Sequence, residues 1–196
     1  MTDPTPGLHP AQNRGLRELY SATRQLAEHW TALADRLDGE PGTPELGAGA
    51  DAARTLLVEL ADVTASYGLY GGPAAQGVGS RAAGLRTAVL DRTLERNQAL
   101  RLAVLDLQHV TTLLAYLAEV ARAGGDEPLA EACGRWERRL RRLEGRARKA
   151  AILTGADPDA AIAPLDRGAL GRAGHRVALT VGTVGEWIDR RAAERR

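Results

Sequence analysis

Phenylalanine is absent from this chain, and tryptophan and tyrosine together supply only seven of its 196 residues. β-Sheets draw on aromatic and β-branched side chains, so the shortage argues against a sheet protein. Cysteine is scarce as well, with Cys133 standing alone. A lone thiol can form neither an internal disulfide nor a thiolate metal site, which points to a reducing compartment. Charge of one sign is not in excess: the formal net charge is +1, which excludes a supercharged nucleic-acid arm. No long uninterrupted apolar run exists either. The most apolar stretch, 99–121, contains Arg101, Asp106, His109 and Glu119, each costly in hydrocarbon. The first residues, MTDPTPGLHP, lack the basic and apolar regions of a signal peptide. The expectation is a cytoplasmic protein with no membrane partner.

What the chain does have is Ala, Leu, Arg and Glu, all strong helix formers. With 44% hydrophobic and 26% charged residues it has enough apolar material for a core. The length fits one domain. The expected organisation is a flexible N-terminal segment, 1–15, followed by a single helical domain over 16–196.

Apolar side chains recur at alternating spacings of three and four, the period of helices packed on helices. The first stripe is Leu16, Leu19, Thr23, Leu26, Trp30, Leu33 and Leu37, stopping at Gly39. Thr43 then reads as an N-cap followed by Pro44 at the first helical position. The second stripe is Leu46, Ala50, Ala53, Leu57, Leu60, Thr64 and Tyr67. A glycine-rich link, 68–73, follows. From 80 to 123 the only strong breaker is Gly84, so one long helix is conceivable, interrupted by a polar middle at Arg92, Arg96 and Asn97. Its second half is apolar on most of its circumference and is expected to be the central, most buried helix. Asp126 caps the next helix with Pro128 in its first turn, and the stripe Leu129, Cys133, Trp136, Leu140, Leu143, Ala147 and Ala150 keeps heptad spacing. Asp157 and Pro158 open a short segment that Pro164 interrupts. A last helix begins near Asp166, with glycines at 171, 174, 182 and 185 that favour close backbone packing. The predicted fold is all-α: a mostly antiparallel bundle of four to five long helices with short connections.

Several chemistries are excluded. The segment 72–77 has the glycine spacing of a phosphate loop, but Val78 and Gly79 stand where Lys and Ser or Thr are needed. The chain has no Glu-x-x-His, which di-metal bundles place on two helices. No Gly-x-Ser-x-Gly elbow is present. Cys133 lies on an apolar stripe and reads as an inert small hydrophobe. No catalytic motif and no cofactor pattern are legible, which favours a non-enzymatic protein.

Two features remain. Asp106 and His109 share one face of the apolar helix at i, i+3, with Arg101 within reach. Buried together they would form a hydrogen-bonded pair or, alternatively, the centre of a small-molecule or metal-binding site, an enzyme's among them. The second feature is the run RWERRLRRLEGRARK at 135–149, with seven Arg and one Lys against Glu137 and Glu144. Arg135, Arg138, Arg139, Arg142 and Arg146 form a basic ridge beside the apolar stripe. It suits internal pairing with Glu45, Asp51, Glu59 and Asp62 of the second helix, an acidic protein partner, or nucleic acid. The leading expectation is an adaptor-type interaction or regulatory module that uses this ridge to bind an acidic partner. Nucleic-acid binding by the same ridge is the alternative, and heptad-spaced stripes also admit a homo-oligomer.

Overall fold

A computed structural model describes residues 8–69, 94–165 and 191 of the chain. Four long helices dominate these residues: α1 (Pro10–Arg36), α2 (Thr43–Ser66), α3 (Arg96–Ala123) and α4 (Glu127–Leu153). A 3₁₀ turn (Thr154–Ala156) and a one-turn helix, α5 (Pro158–Ala161), follow. No strand and no helix long and apolar enough to cross a membrane occur among the described residues. The all-α bundle is thus present as expected.

Helix α1 starts earlier than its apolar stripe suggests. Residues 10–15, assigned from the sequence to the flexible N-terminal segment, form its first turns. Pro10 suits the first helical position, His9 Nδ1 accepts from the Ala11 amide at 3.1 Å, and Gln12 Oε1 accepts from the His9 amide at 3.0 Å. Gly15 is buried because a Cβ there would stand 2.6 Å from Leu117 Cδ2 on α3.

The α1–α2 turn corrects one capping expectation. Gly42, at φ 96°, takes the N-cap position, and Thr43 is the first residue of α2. Its hydroxyl turns back and donates to the Leu37 and Glu40 carbonyls at 2.5 and 2.9 Å, closing the turn. On α2 the core position is Leu56 rather than Leu57, because α1 and α4 flank α2 on two sides and widen its buried face. Gly49 permits the closest approach in the core: a Cβ would lie 2.2 Å from Trp30 Cζ3. Trp30 is fully buried there, with Nε1 donating to the Ala103 carbonyl at 3.2 Å.

The question of one helix over 80–123 is answered at its C-terminal part. Leu94 and Glu95 lie outside the helix, Glu95 in extended conformation, and α3 begins at Arg96. These residues pair with the segment around Pro164: Arg96 N donates to Ala163 O and Leu165 N to Leu94 O, both at 3.0 Å. Asn97 Nδ2 ties the start of α3 to the Ala151 carbonyl at the end of α4, at 2.8 Å. Asp126 caps α4 through the Leu129 amide, and Asp157 caps α5 through that of Ala160. The expectations for the rest of the glycine-rich link, for 80–93 and for the glycine-bearing last helix fall outside the described residues.

Cross-helix pairs fix the topology. Thr31 meets Arg54, His29 meets Asp106, Glu59 meets Trp136, and Gln108 meets Glu144. Together with the contacts of Gly15, Asn97 and Tyr67, they make each packed pair antiparallel: α1 with α2, α1 with α3, α2 with α4 and α3 with α4. Helices α1 and α4 therefore sit on one diagonal and α2 and α3 on the other. Helix α2 ends where α4 begins, and α3 begins at the opposite end of these described helices. The expectation for 99–121 holds in part: α3 carries more buried residues than any other described helix, but among the described long helices it sits at a corner, flanked by α1 and α4. Leu16, Leu26, Leu107, Leu114, Leu117 and Leu140 fill the core.

Candidate functional site

The outer face of α4 carries a row of exposed cations. At 100° per residue, Leu129, Cys133, Trp136, Leu140, Leu143 and Ala147 point inward, and all are buried. The same rotation carries Arg135, Arg138, Arg142, Arg146 and Lys149 outward in one line, and all five are exposed. From Arg135 to Lys149 the line is about 21 Å long at 1.5 Å per residue.

Four acidic groups near this line are engaged elsewhere, and the exposed Glu131 lies one turn before Arg135. Glu137 pairs with Arg141, whose Nε donates to Oε1 at 2.6 Å. Glu144 accepts from Gln108 Nε2 on α3 at 3.0 Å. On α2, Asp51 pairs with Arg54 at 2.6 Å, and Glu59 accepts from the Trp136 indole at 2.5 Å. Among the described residues none of Arg135, Arg138, Arg142, Arg146 and Lys149 forms an ion pair. The expected balance between this helix and the carboxylates of α2 is therefore not realised. Arg139 leaves the line and lies over the Trp136 ring, 4.7 Å from its centroid, where the indole face attracts the guanidinium.

The pair Asp106 and His109 is separated. Asp106 Oδ2 lies 2.6 Å from Nδ1 of His29 on α1, a buried imidazole that sequence spacing alone did not single out. His109 is exposed, with Nε2 3.5 Å from Glu18 Oε1, and Arg101 is exposed as well. The cause is helical phase: Asp106 turns toward α1, and His109 lies 60° further round, past the packed surface. The signal for His29 was its place beside Trp30, next to the buried stripe. Among the described residues no three His, Cys, Asp or Glu side chains converge as a metal site requires.

Cys133 is buried on the inner face of α4. Burial, with the nearby Asp126 carboxylate adding to it, pushes its thiol up to about 11 from 9.0. A thiol held neutral in this way is a poor nucleophile. Tyr67 is also raised, first by burial and then by its hydrogen bond to Asp126 Oδ2 at 2.5 Å.

The described residues also form concavities, two of which bear on these features. One, of about 300 Å³, lies at the end of the bundle where α1, α3, α4 and α5 meet. Leu37, Pro41, Leu100 and Leu153 line it, and the Arg96–Glu40 ion pair (3.0 Å) borders it. Arg96 belongs to the polar middle of the 80–123 stretch, so part of that polarity is accounted for at this pocket's edge. The other, of about 550 Å³, is an open groove between α1 and α2 edged by Tyr20, Arg24, Glu28 and Arg54. Glu28 holds Arg24 at 2.8 Å and raises its basicity, chiefly through that hydrogen bond. Compared with known proteins, the chain matches no family model, no curated protein and no solved structure.

Proposed function

We propose that this protein is a non-enzymatic interaction module that binds an acidic protein partner on the outer face of α4. One observation carries the reading: a straight row of exposed cations, Arg135, Arg138, Arg142, Arg146 and Lys149, without ion pairs among the described residues. Exposed cations that form no ion pair are open to an incoming anion, and guanidinium forks seat carboxylates in two parallel hydrogen bonds. The repeat of three and four residues matches a second helix bearing Glu or Asp at the same spacing. The row offers no exposed aromatic ring for stacking a base, since Trp136 points inward and its edge is bound to Glu59. That favours an acidic protein over a single-stranded nucleic acid.

The test uses two probes in fluorescence anisotropy across salt concentrations. One is a synthetic helical peptide with Glu at every third and fourth position, the other a random-sequence DNA duplex. The acidic peptide is expected to bind with salt-sensitive affinity, and the triple variant Arg138→Glu, Arg142→Glu, Arg146→Glu to lose it with unchanged helicity. Tighter binding of the duplex, with a steep salt slope, would turn the assignment to nucleic acid. Binding of neither probe would overturn it.

A further inference from the structure

The outermost line of α3 is built in the opposite way from that of α4. Leu102, Leu105, His109, Thr112 and Tyr116 succeed one another at spacings of three, four, three and four, which places them on one exposed stripe of α3, with His109 reaching Glu18 and Tyr116 lying near Gly15 on its α1 side. Leu102, Leu105 and Tyr116 are 41%, 56% and 48% exposed. Solvent-facing helix positions ordinarily carry charge, and an apolar row there signals a contact surface.

We infer that this stripe is a homodimer interface, in which α3 packs antiparallel on α3 of a second copy about a twofold axis near His109. The pattern is complementary to itself. With His109 on the axis, Leu102 faces the second copy's Tyr116, and Leu105 faces its Thr112. Arg101 and Glu119 lie on the same flank of the stripe, both 60° or so from its midline by helical phase. A twofold axis between two facing helices brings like flanks together, so each Arg101 comes within two residues, about 3 Å along the axis, of the second copy's Glu119, within reach of the long guanidinium side chain. Glu119 is exposed and pairs within its own helix with Arg122 only, a surface contact of little energy that can be exchanged. A parallel pairing would instead put the two like flanks on opposite sides of the seam, so that neither Arg101 nor Glu119 meets an opposite charge from this pair. The inference is independent of the reading of α4.

Sedimentation equilibrium of the full chain across a wide concentration range tests the interface. A dimer is expected, and Leu105→Glu should weaken it by roughly 30-fold or more, with unchanged far-ultraviolet circular dichroism. Arg101→Glu should weaken it too, and adding Glu119→Arg should restore it, which gives a second route should the first variant fold poorly. Register is read by cross-linking under mild oxidation, since native Cys133 is buried. His109→Cys should link to itself. Leu102→Cys alone should not, but should link when combined with Tyr116→Cys. A monomer at every concentration overturns the inference, including the case where the chain's own residues beyond 165 occupy the stripe. A dimer indifferent to Leu105→Glu, or one in which His109→Cys fails to link, overturns it equally.

Discussion

Helices α3 and α4 lie side by side and antiparallel, 28 and 27 residues long, with inner faces made of the same Leu and Ala. Their outer faces are opposites: Leu102, Leu105 and Tyr116 on α3, and Arg135, Arg138, Arg142 and Arg146 on α4. The difference teaches that one bundle position can be held by very different surfaces, because only the inward stripe sets the packing. What a helix shows outward is free to serve a partner. Apolar rows suit a partner that stays, and cationic rows suit one whose grip varies with salt.

The comparison breaks most visibly from the inside. Leu107 on α3 and Leu140 on α4 are both fully buried, and Leu→Ala at either is expected to cost about 2–5 kcal/mol in urea unfolding. A much smaller loss at one would mean that the two inner faces are not equivalent. Next comes the Asp106 link to α1. Asp106→Ala should cost about 1–3 kcal/mol, since it strips the buried His29 of its carboxylate.

Alkaline titration probes the inner face of α4 further. Burial keeps Cys133 and Tyr67 neutral in the folded protein, so the native state holds their protons more tightly than the unfolded chain. Stability contributed by the thiol is complete below pH 9 and is lost as pH rises toward about 11. Cys133→Ala should flatten part of that decline, as read from melting temperature against pH. The outer faces should give the smallest changes in stability. His109→Ala on α3 and Arg142→Ala on α4 are each expected to stay within about 0.5 kcal/mol of the parent in the same unfolding assay. A larger loss at His109 would return it to the buried pair that its spacing from Asp106 suggests.

Much of this molecule was legible in its residues. The stripe from Leu16 to Leu37 is buried at every position, as is that of α3 from Leu100 to Ala121; the α4 stripe from Leu129 is buried as far as Ala147, with Ala151 rather than Ala150 completing it. The caps at Asp126 and Asp157 and the breaks at Gly39 and Gly125 also stand where the sequence indicates. Burial of a periodic stripe is local information, because 3.6 residues per turn fixes which side chains share a face. The start of α1 escaped that logic: residues 10–15 carry few large apolar groups, and their burial comes from Gly15 against Leu117, a contact between residues a hundred positions apart. The basic ridge was legible as a ridge, but not as an unpaired one. Its freedom among the described residues depends on Glu59, Glu137 and Glu144 being engaged with Trp136, Arg141 and Gln108.

The sequence by itself determined that the chain is helical, where most of the described helices begin and end, and which stripe of each turns inward. Helix propensity, caps and hydrophobic period act over a few residues, and their outcome does not wait for the rest of the chain. Tertiary structure alone decided which helices are neighbours. It set α3 at a corner among the described long helices, gave Asp106 to His29 instead of His109, and left one outer face apolar and the other cationic. Those outcomes depend on the relative placement of helices far apart in the chain, and amphipathic stripes of similar width and composition do not say which partner each will meet.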